Sequence, residues 1–378
     1  TVTVEMGFGF TWRDSAPSFT DVSGYVEFDS GITVKRGRSK ELDRFQTGSC
    51  QFTLRNDDRR FDPLYTAGPY YGNLKARVPC RVRAVWDSVT YDIFYGFVDS
   101  WPQSYTQGDE VATVQVAVSD AFKLLGNADL ISAFLTLDDD VYGLLDDGRL
   151  GGSDLSVASM SDVRMTDLFD MAEWPAAFTD IGDGATECPG QDIDGNALTA
   201  MQLVEQSEDG FLYVEADGTV TFVGRHARQQ LARMVTSQAT FSDQDDDYPY
   251  DDLTVLPEDD QLIYNVVTRQ SVDGTPQTSE DADSVREYMR SPNSLTGLLV
   301  TRDEAVKDLA DVTLLRYKEP GTRIEDLTID PQNAPTTLWP EVLGRRILDR
   351  VTVDRTPQQV GDPISLEVLV QGVEHSWQ

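Results

Sequence analysis

Metal-binding and redox-active residues are scarce in this chain of 378 residues. It has three cysteines (Cys50, Cys80 and Cys188) and two histidines (His226 and His375). No Cys-x-x-Cys or His-Glu-x-x-His spacing occurs, which argues against a zinc site. An odd number of cysteines cannot form a fully paired disulfide framework. We therefore expect three free thiols in a chain that folds in a reducing cytoplasm.

Long apolar segments are missing as well. No run of 18 apolar residues occurs, so we predict no membrane segment. The first twenty residues include Glu5, Arg13 and Asp14 and lack the apolar core of a signal peptide. No glycine-rich phosphate loop and no Gly-x-Ser-x-Gly nucleophile motif is present. We predict no catalytic residues, no cofactor and no metal site, and hence a protein that is not an enzyme.

Positive charge is in short supply. The chain has 31 Lys and Arg against 65 Asp and Glu, a net charge of −34. Residues 121–260 carry −24 of this total, whereas 1–120 and 261–378 carry −3 and −7. This balance argues against direct, sequence-specific binding to nucleic acid, which depends on clustered Lys and Arg. The shift in composition predicts three domains with boundaries near residues 120 and 260.

Alternation of apolar and polar residues dominates the first third. It predicts the following elements: strands at 24–28, 31–35, 50–54, 81–86, 91–95 and 111–117, and a short helix at 119–125. Strands spaced about ten residues apart are typical of a barrel or sandwich. We therefore predict a mainly β fold with α+β insertions, in which two tube-like β-barrel or sandwich domains flank a mixed, acidic middle domain.

The rest of the chain mixes helical and strand periodicities. In the middle third we predict helices at 165–172 and 197–208, and a hairpin of 210–216 with 219–223 around Asp217-Gly218. In the last third, residues 262–268 open a hairpin that turns at 273–274. Thr301 and Glu304 form a capping-box pattern for a helix ending near residue 317. Strands are expected at 351–353, 364–370 and 373–377.

Acidic clusters are the remaining candidates for chemistry. Residues 192–196 resemble part of a calcium loop, but Gly195 comes too early and the twelfth position has no Glu. Acids at 138–140 and 245–247 lack ligand spacing, so solvated loops are the favoured interpretation of all three clusters. A carboxylate pair could also hydrolyse glycans. A β-rich carbohydrate-binding or glycan-hydrolysing protein is the alternative function, and it requires the six tryptophans to face one groove.

Several segments, taken in their order along the chain, resemble minor tail proteins of long-tailed phages of Actinobacteria, the tail-hub family. The matching segments are Gly31-Ile-Thr-Val-Lys-Arg-Gly-Arg38, Phe45-Gln-Thr-Gly-Ser49, Phe52-Thr-Leu-Arg-Asn56, Asp57-Asp-Arg-Arg-Phe-Asp-Pro63, Pro69-Tyr-Tyr71, Tyr95-Gly-Phe-Val-Asp-Ser-Trp101, Glu208-Asp-Gly-Phe-Leu-Tyr-Val-Glu-Ala-Asp-Gly218, Leu338-Trp-Pro-Glu-Val-Leu-Gly-Arg345, Asp349-Arg-Val-Thr-Val353 and Val370-Gln-Gly-Val-Glu-His375. The resemblance covers roughly 1–120, 200–225 and 260–378. The acidic segments 137–154 and 242–260 have no counterpart in it.

This resemblance implies a homotrimeric structural hub at the tip of a non-contractile tail. Its expected partners are the distal tail protein ring, the tape measure protein and downstream minor tail or fibre proteins. We expect no long receptor-binding or cell-wall-cleaving extension. The resemblance and the strand-rich ends together predict that 1–120 and about 260–378 share one β-topology. Because the acid lies in loops without a strand pattern while the two ends carry only −3 and −7, we predict that most carboxylates of 137–147 and 243–252 point away from the threefold axis.

Overall fold

The computed structural model describes residues 1–105, 112–131, 155, 157–191, 194–244, 247–357 and 361–377. These residues form the following helices: α1 (Ala121–Gly126), α2 (Ser161–Met171), α3 (Ala197–Glu208), α4 (Ala227–Gln230), α5 (Ala232–Val235), α6 (Ala282–Tyr288), α7 (Asp303–Tyr317) and α8 (Pro335–Gly344). None of the helices in the described part of the chain has the length and apolar character needed to cross a bilayer.

Strands predominate over helices, which confirms the predicted mainly β class with helical insertions. The first third (residues 1–120) and the start of the middle segment (residues 121–260) contain β1 (Val2–Met6), β2 (Thr20–Asp21), β3 (Ile32–Gly37), β4 (Gln46–Arg55), β5 (Pro79–Trp86), β6 (Val89–Ser100), β7 (Gln103–Ser104), β8 (Thr113–Ser119) and β9 (Asp129–Ile131). Further along are β10 (Ser159–Met160), β11 (Thr179–Ile181), β12 (Glu187–Cys188), β13 (Asp194–Asn196), β14 (Phe211–Val214), β15 (Val220–Val223), β16 (Thr240–Ser242) and β17 (Asp252–Asp259). The last are β18 (Val266–Ser271), β19 (Gln277–Glu280), β20 (Pro292–Leu298), β21 (Gly321–Thr328), β22 (Arg350–Arg355), β23 (Ile364–Leu369) and β24 (Gly372–Trp377).

The largest sheet combines strands from both ends of the chain. Its order is β2-β1-β5-β6-β8-β4-β3-β24, and β7 adds to β8. Alternate residues such as Val4, Val34, Phe52, Val82 and Val116 are buried on one face, as the period of two predicts. The edge strands β2 and β24 pair only inward among the described residues, so the sheet is open and the barrel alternative is wrong.

The middle segment forms a second core. Helices α2 and α3 pack on each other and, with the sheet β11-β15-β14, bury Phe169, Met201, Tyr213 and Phe222. The predicted hairpin is confirmed, with Val214 opposite Val220 across the Asp217-Gly218 turn. The helix predicted at 197–208 is confirmed at the same residues. The helix predicted at 165–172 corresponds to α2, which begins four residues earlier, at Ser161, and ends at Met171, with Ala172 as its C-cap.

The strands after residue 240 are divided among smaller sheets. The hairpin β18–β19 is confirmed, and β20 adds to it in parallel, with α7 packed across these strands. The other two sheets have the orders β16-β22-β23 and β17-β21. The final strand, β24, instead pairs with β3 of the first third, with Trp377 opposite Ile32. The shared β-topology of the two ends and the boundaries near 120 and 260 stay predictions.

Two local predictions are wrong. Residues 24–28 do not form a strand: Ser23–Tyr25 and Phe28–Ser30 are single 3₁₀ turns. The buried side chains there, Val22 and Val26, lie four residues apart, which is the spacing of a turn rather than of a strand.

The capping box at α7 is also absent. The Thr301 hydroxyl donates instead to Glu187 Oε2, at 2.9 Å, and the N-cap position falls on Arg302, which makes no capping bond. A tertiary contact has therefore replaced the local one.

Candidate functional site

His375 and the three cysteines are buried in the fold, whereas His226 is exposed at the N-terminus of α4. His375 is buried in β24 and stacks on Trp377, and burial together with the charge of Arg36 lowers its pKa to about 4, so the ring is neutral. Cys50, Cys80 and Cys188 are buried free thiols, and burial raises the pKa of each. Within the described ranges, no group of three or more His, Cys, Asp or Glu could hold a metal ion.

The calcium-like segment is only partly described, because residues 192 and 193 lie outside the described ranges. Asn196 serves as a helix cap, since its Oδ1 accepts the backbone N–H of Thr199 at 2.8 Å at the start of α3. The acids at 138–140 and those at 245 and 246 also lie outside the described residues.

The six tryptophans do not share a groove. Trp12 stacks on Trp174 with ring centroids 5.9 Å apart, and Trp86 stacks on Trp339 at 5.7 Å. Trp101 is buried beside Phe61, and Trp377 lies against His375. No ring contact joins these four settings to one another in the described part of the chain.

Sequence reasoning gave no weight to a set of four buried carboxyl groups, Asp120, Glu205, Glu208 and Glu215. Glu208, at the end of α3, is completely buried, and its Oε2 accepts from Ser161 Oγ at 2.7 Å and from Thr186 N at 2.8 Å. Its Oε1 accepts from Arg225 N at 3.1 Å and Nε at 3.2 Å. Burial opposes ionisation, but these bonds and the charge of Arg225 outweigh it and lower the pKa of Glu208.

A second member, Glu215, follows strand β14. Its Oε1 accepts from Arg346 at 2.5 Å and from Arg233 at 3.4 Å. Arg233 also donates to the carbonyl of Ile347 at 2.8 Å and lies 3.8 Å from Asp349. The pair of arginines thus connects the hairpin to the segment that leads into β22.

Two further carboxyl groups are held in their protonated form up to neutral pH. Burial raises the pKa of Asp120 to about 7, although the amides of Gly48 and Phe122 donate to it at 2.7 Å and 3.0 Å. Burial likewise raises the pKa of Glu205 to about 7. Its Oε1 accepts from Leu212 N at 2.9 Å, whereas Oε2 has no hydrogen-bond partner in the described chain.

Chemically, this network holds elements in place. Its carboxylates are saturated by backbone amides and guanidinium groups or are protonated and buried, and neither state suits a general base that must reach a substrate. Sequence reasoning missed these residues. A signal was present, however: Glu205 and Glu208 follow Met201 at steps of four and three on the buried face of α3, where an acid is out of place.

The loop between β4 and β5 is held by hydrogen bonds and carries exposed apolar side chains. Asn56 accepts the amide of Phe61 at 2.8 Å, and the buried Asp62 accepts from Leu64 N at 2.8 Å and from the hydroxyl of Tyr105 at 3.2 Å. This fixed base presents Leu64, 84% exposed, beside Tyr105, 62% exposed. Large exposed apolar side chains on a rigid base are typical of protein contacts.

Some of the acid in the 243–252 segment is used within the chain. Asp243 pairs with Arg355 and accepts Thr356 N at 2.9 Å, while Asp251 Oδ1 accepts from the amide of Asn333 at 2.6 Å. These carboxylates fasten loops to β22 and to the approach to α8. The other segment expected to point outward, 137–147, lies outside the described residues.

Comparison with known proteins rests on structure. No protein-family model and no curated protein matches the sequence. Two solved structures match almost the whole chain. The first is the tail protein from Neisseria meningitidis MC58, with a TM-score of 0.55 and 13% identity over 99% of this chain and 92% of that one. The second is the 43 kDa tail protein of prophage MuSo2 from Shewanella oneidensis, with a TM-score of 0.54 and 13% identity over 100% and 94%. The chain has the fold of these tail proteins.

Proposed function

We propose that this chain is a non-enzymatic structural protein of a phage tail, specifically a homotrimeric hub at the tail tip. In this role it joins the distal tail protein ring and tail tube to the tape measure protein and to downstream minor tail or fibre proteins. Assembly takes place in the host cytoplasm. We assign it to the tail-hub family of non-contractile phages of Actinobacteria, because its sequence segments, in their order along the chain, resemble those of that family.

The observation that carries the proposal is the extent of the structural likeness. It spans 99% and 100% of this chain and more than nine-tenths of two tail proteins, so it concerns a whole architecture rather than one common motif. The buried carboxylate network supports it, because its charges stabilise the fold instead of facing a substrate. The separated tryptophans weigh against the carbohydrate-binding alternative.

The domain arrangement belongs to the same proposal. Residues 1–120 and 261–378 act as two tube-like β-domains, and three chains then place six such domains against a sixfold neighbour. The carboxylates of 243–252 face outward from the ring, where they favour solubility.

Two measurements test the function. Sedimentation equilibrium of the purified chain should give about three times its 42.0 kDa mass. Electron cryomicroscopy of the assembled tail should place three copies at the tip. A stable monomer, or a chain repeated along the tail shaft, contradicts the proposal.

A further inference from the structure

Unpaired positive charge on the surface is rare in this protein. Most basic side chains have a partner, as Arg13 does in Glu173, Lys35 in Glu374, Lys40 in Gln261 and Arg44 in Gln202. Among the exposed basic residues of the described chain, Lys75, Arg77 and Arg302 have side chains that make no hydrogen bond or ion pair. Because the chain has 65 acids and only 31 bases, a basic side chain without an acidic partner is unexpected. These three cations are therefore candidates for contact with another molecule.

Two of these three cations lie in the same place. Lys75 and Arg77 line a cleft of about 270 Å³ between the segment after β1 and the segment before β5. Phe10 and Trp12 form part of its wall, and Asn73 adds an amide. None of the described residues that line this cleft carries a carboxylate.

The backbone that carries the two cations is fixed. The carbonyl of Lys75 accepts from Trp101 Nε1 at 2.8 Å, and the amide of Arg77 donates to Val98 O at 2.7 Å. Arg77 has a φ of +66°, a left-handed conformation that costs a non-glycine residue about 1 kcal/mol or more. Arg59 shares this conformation but pairs with Asp62, whereas Arg77 bears the strain and has no partner in the described chain.

We propose that this cleft binds a carboxylate-bearing surface of a second copy of the chain and forms the contact between neighbouring subunits of the ring. The inference rests on the homotrimer proposed above. A closed ring joins two different surfaces of each subunit, so one basic cleft per chain can meet an acidic face of its neighbour. The net charge of −34 supplies the acidic face and opposes binding of the cleft to nucleic acid.

The test compares charge reversal inside and outside the cleft in the full chain. The double variant Lys75→Glu/Arg77→Glu is set against Arg302→Glu, which reverses the third unpaired cation outside the cleft. Because none of these side chains contacts the rest of the chain through a hydrogen bond or ion pair, thermal melting should be within a few degrees of wild type. Sedimentation velocity is measured at about 50 and about 500 mM NaCl, which span weak and strong screening.

We expect the wild-type trimer to dissociate more readily at high salt. The double variant should dissociate at protein concentrations at least tenfold higher than wild type. The control Arg302→Glu should behave as wild type. If the double variant forms the trimer as well as wild type does, the cleft contact is overturned while the trimer stands. Equal weakening by Arg302→Glu also overturns it, since net charge would then be the cause. A wild-type monomer at every concentration overturns the ring itself and this contact with it.

Discussion

Single buried carboxylates decide much of the stability of this protein. Glu208 receives hydrogen bonds from Ser161, Ala185, Thr186 and Arg225, which come from three separate segments of the chain. A buried charge is tolerated when it is fully paired in this way, and removing one partner leaves the others unsatisfied. The hydrogen bonds of Glu208 therefore connect α3 to α2 and to the segment just after β15.

Replacing Glu208 with Ala should lower the free energy of unfolding by about 3–5 kcal/mol, because it leaves Arg225 and several buried amides without an acceptor. The matched control is Asp308→Ala, which removes an exposed carboxylate and should change stability by no more than about 0.5 kcal/mol. Urea denaturation followed by circular dichroism measures both. Equal effects of the two substitutions would contradict the role of Glu208.

Glu205 predicts a pH dependence. Its pKa is about 7 in the folded chain and about 4.3 in the unfolded chain, so the folded state holds the proton longer. The free energy of unfolding therefore falls as pH rises from about 4.5 to 7 and is level above that range, a loss on the order of 3 kcal/mol. His375 has the opposite sign, because its lowered pKa makes its contribution disappear as pH falls towards 4.

The substitution Glu205→Gln isolates this effect. Gln keeps an oxygen that accepts from Leu212 N but cannot ionise. Asp120 and His375 titrate in both proteins, so their contributions cancel when the variant is compared with wild type. Relative to wild type, the variant should gain stability as pH rises from about 4.5 to about 7, and the difference should be level above that range. A difference that is independent of pH, as expected for the exposed control Glu325→Gln, would show that Glu205 is ionised in the fold.

At the scale of elements, local patterns predicted most strands and helices. Alternation located β3, β4, β5, β6 and β8, and helical spacing located α3 at its actual bounds. The failures have tertiary causes. Thr301 donates to Glu187 instead of capping α7, and Val22 and Val26 are buried by a turn. The partners of the buried carboxylates could not be predicted, because residues such as Ser161, Thr186 and Arg346 are distant in sequence and meet them only after folding.

The hairpin β14–β15 depends on a glycine for a reason beyond its turn. Gly218 has a φ of +92°, and a Cβ there would lie 2.5 Å from the ring of Tyr95 in β6. The turn therefore lies directly against the large sheet, and this close approach is one way in which the middle segment is joined to it. Pattern alone predicted the turn but not what it touches.

The substitution Gly218→Ala should cost roughly 1–3 kcal/mol more than Gly72→Ala, which shares the positive φ but has open space around it. The first variant suffers both backbone strain and a clash with Tyr95, and the second suffers only the strain. Thermal unfolding of the two purified variants measures the difference. Equal melting temperatures would mean that the hairpin does not rest on Tyr95.

At the scale of the whole molecule, the two ends of the chain complete one sheet. The six residues of β24 pair with β3, so the sheet of the first third is finished only by the last residues described. Composition could not reveal this connection, since the charge shift separates the ends into different predicted domains. The consequence is that the large sheet depends on segments more than 300 residues apart in the sequence.

Removal of residues 372–378 should therefore loosen the large sheet without unfolding the middle segment. Cys50 lies in β4 and pairs with Val34 of β3, the strand that separates β4 from β24. Cys188 lies instead in the second core. Local opening exposes a buried thiol in proportion to the stability lost there. We expect maleimide labelling of Cys50 to become at least tenfold faster in the truncated chain and labelling of Cys188 to stay unchanged. If labelling of both thiols became faster to the same extent, the chain would unfold as one unit. If labelling of Cys50 stayed unchanged, β24 would contribute nothing to the stability of the sheet it completes.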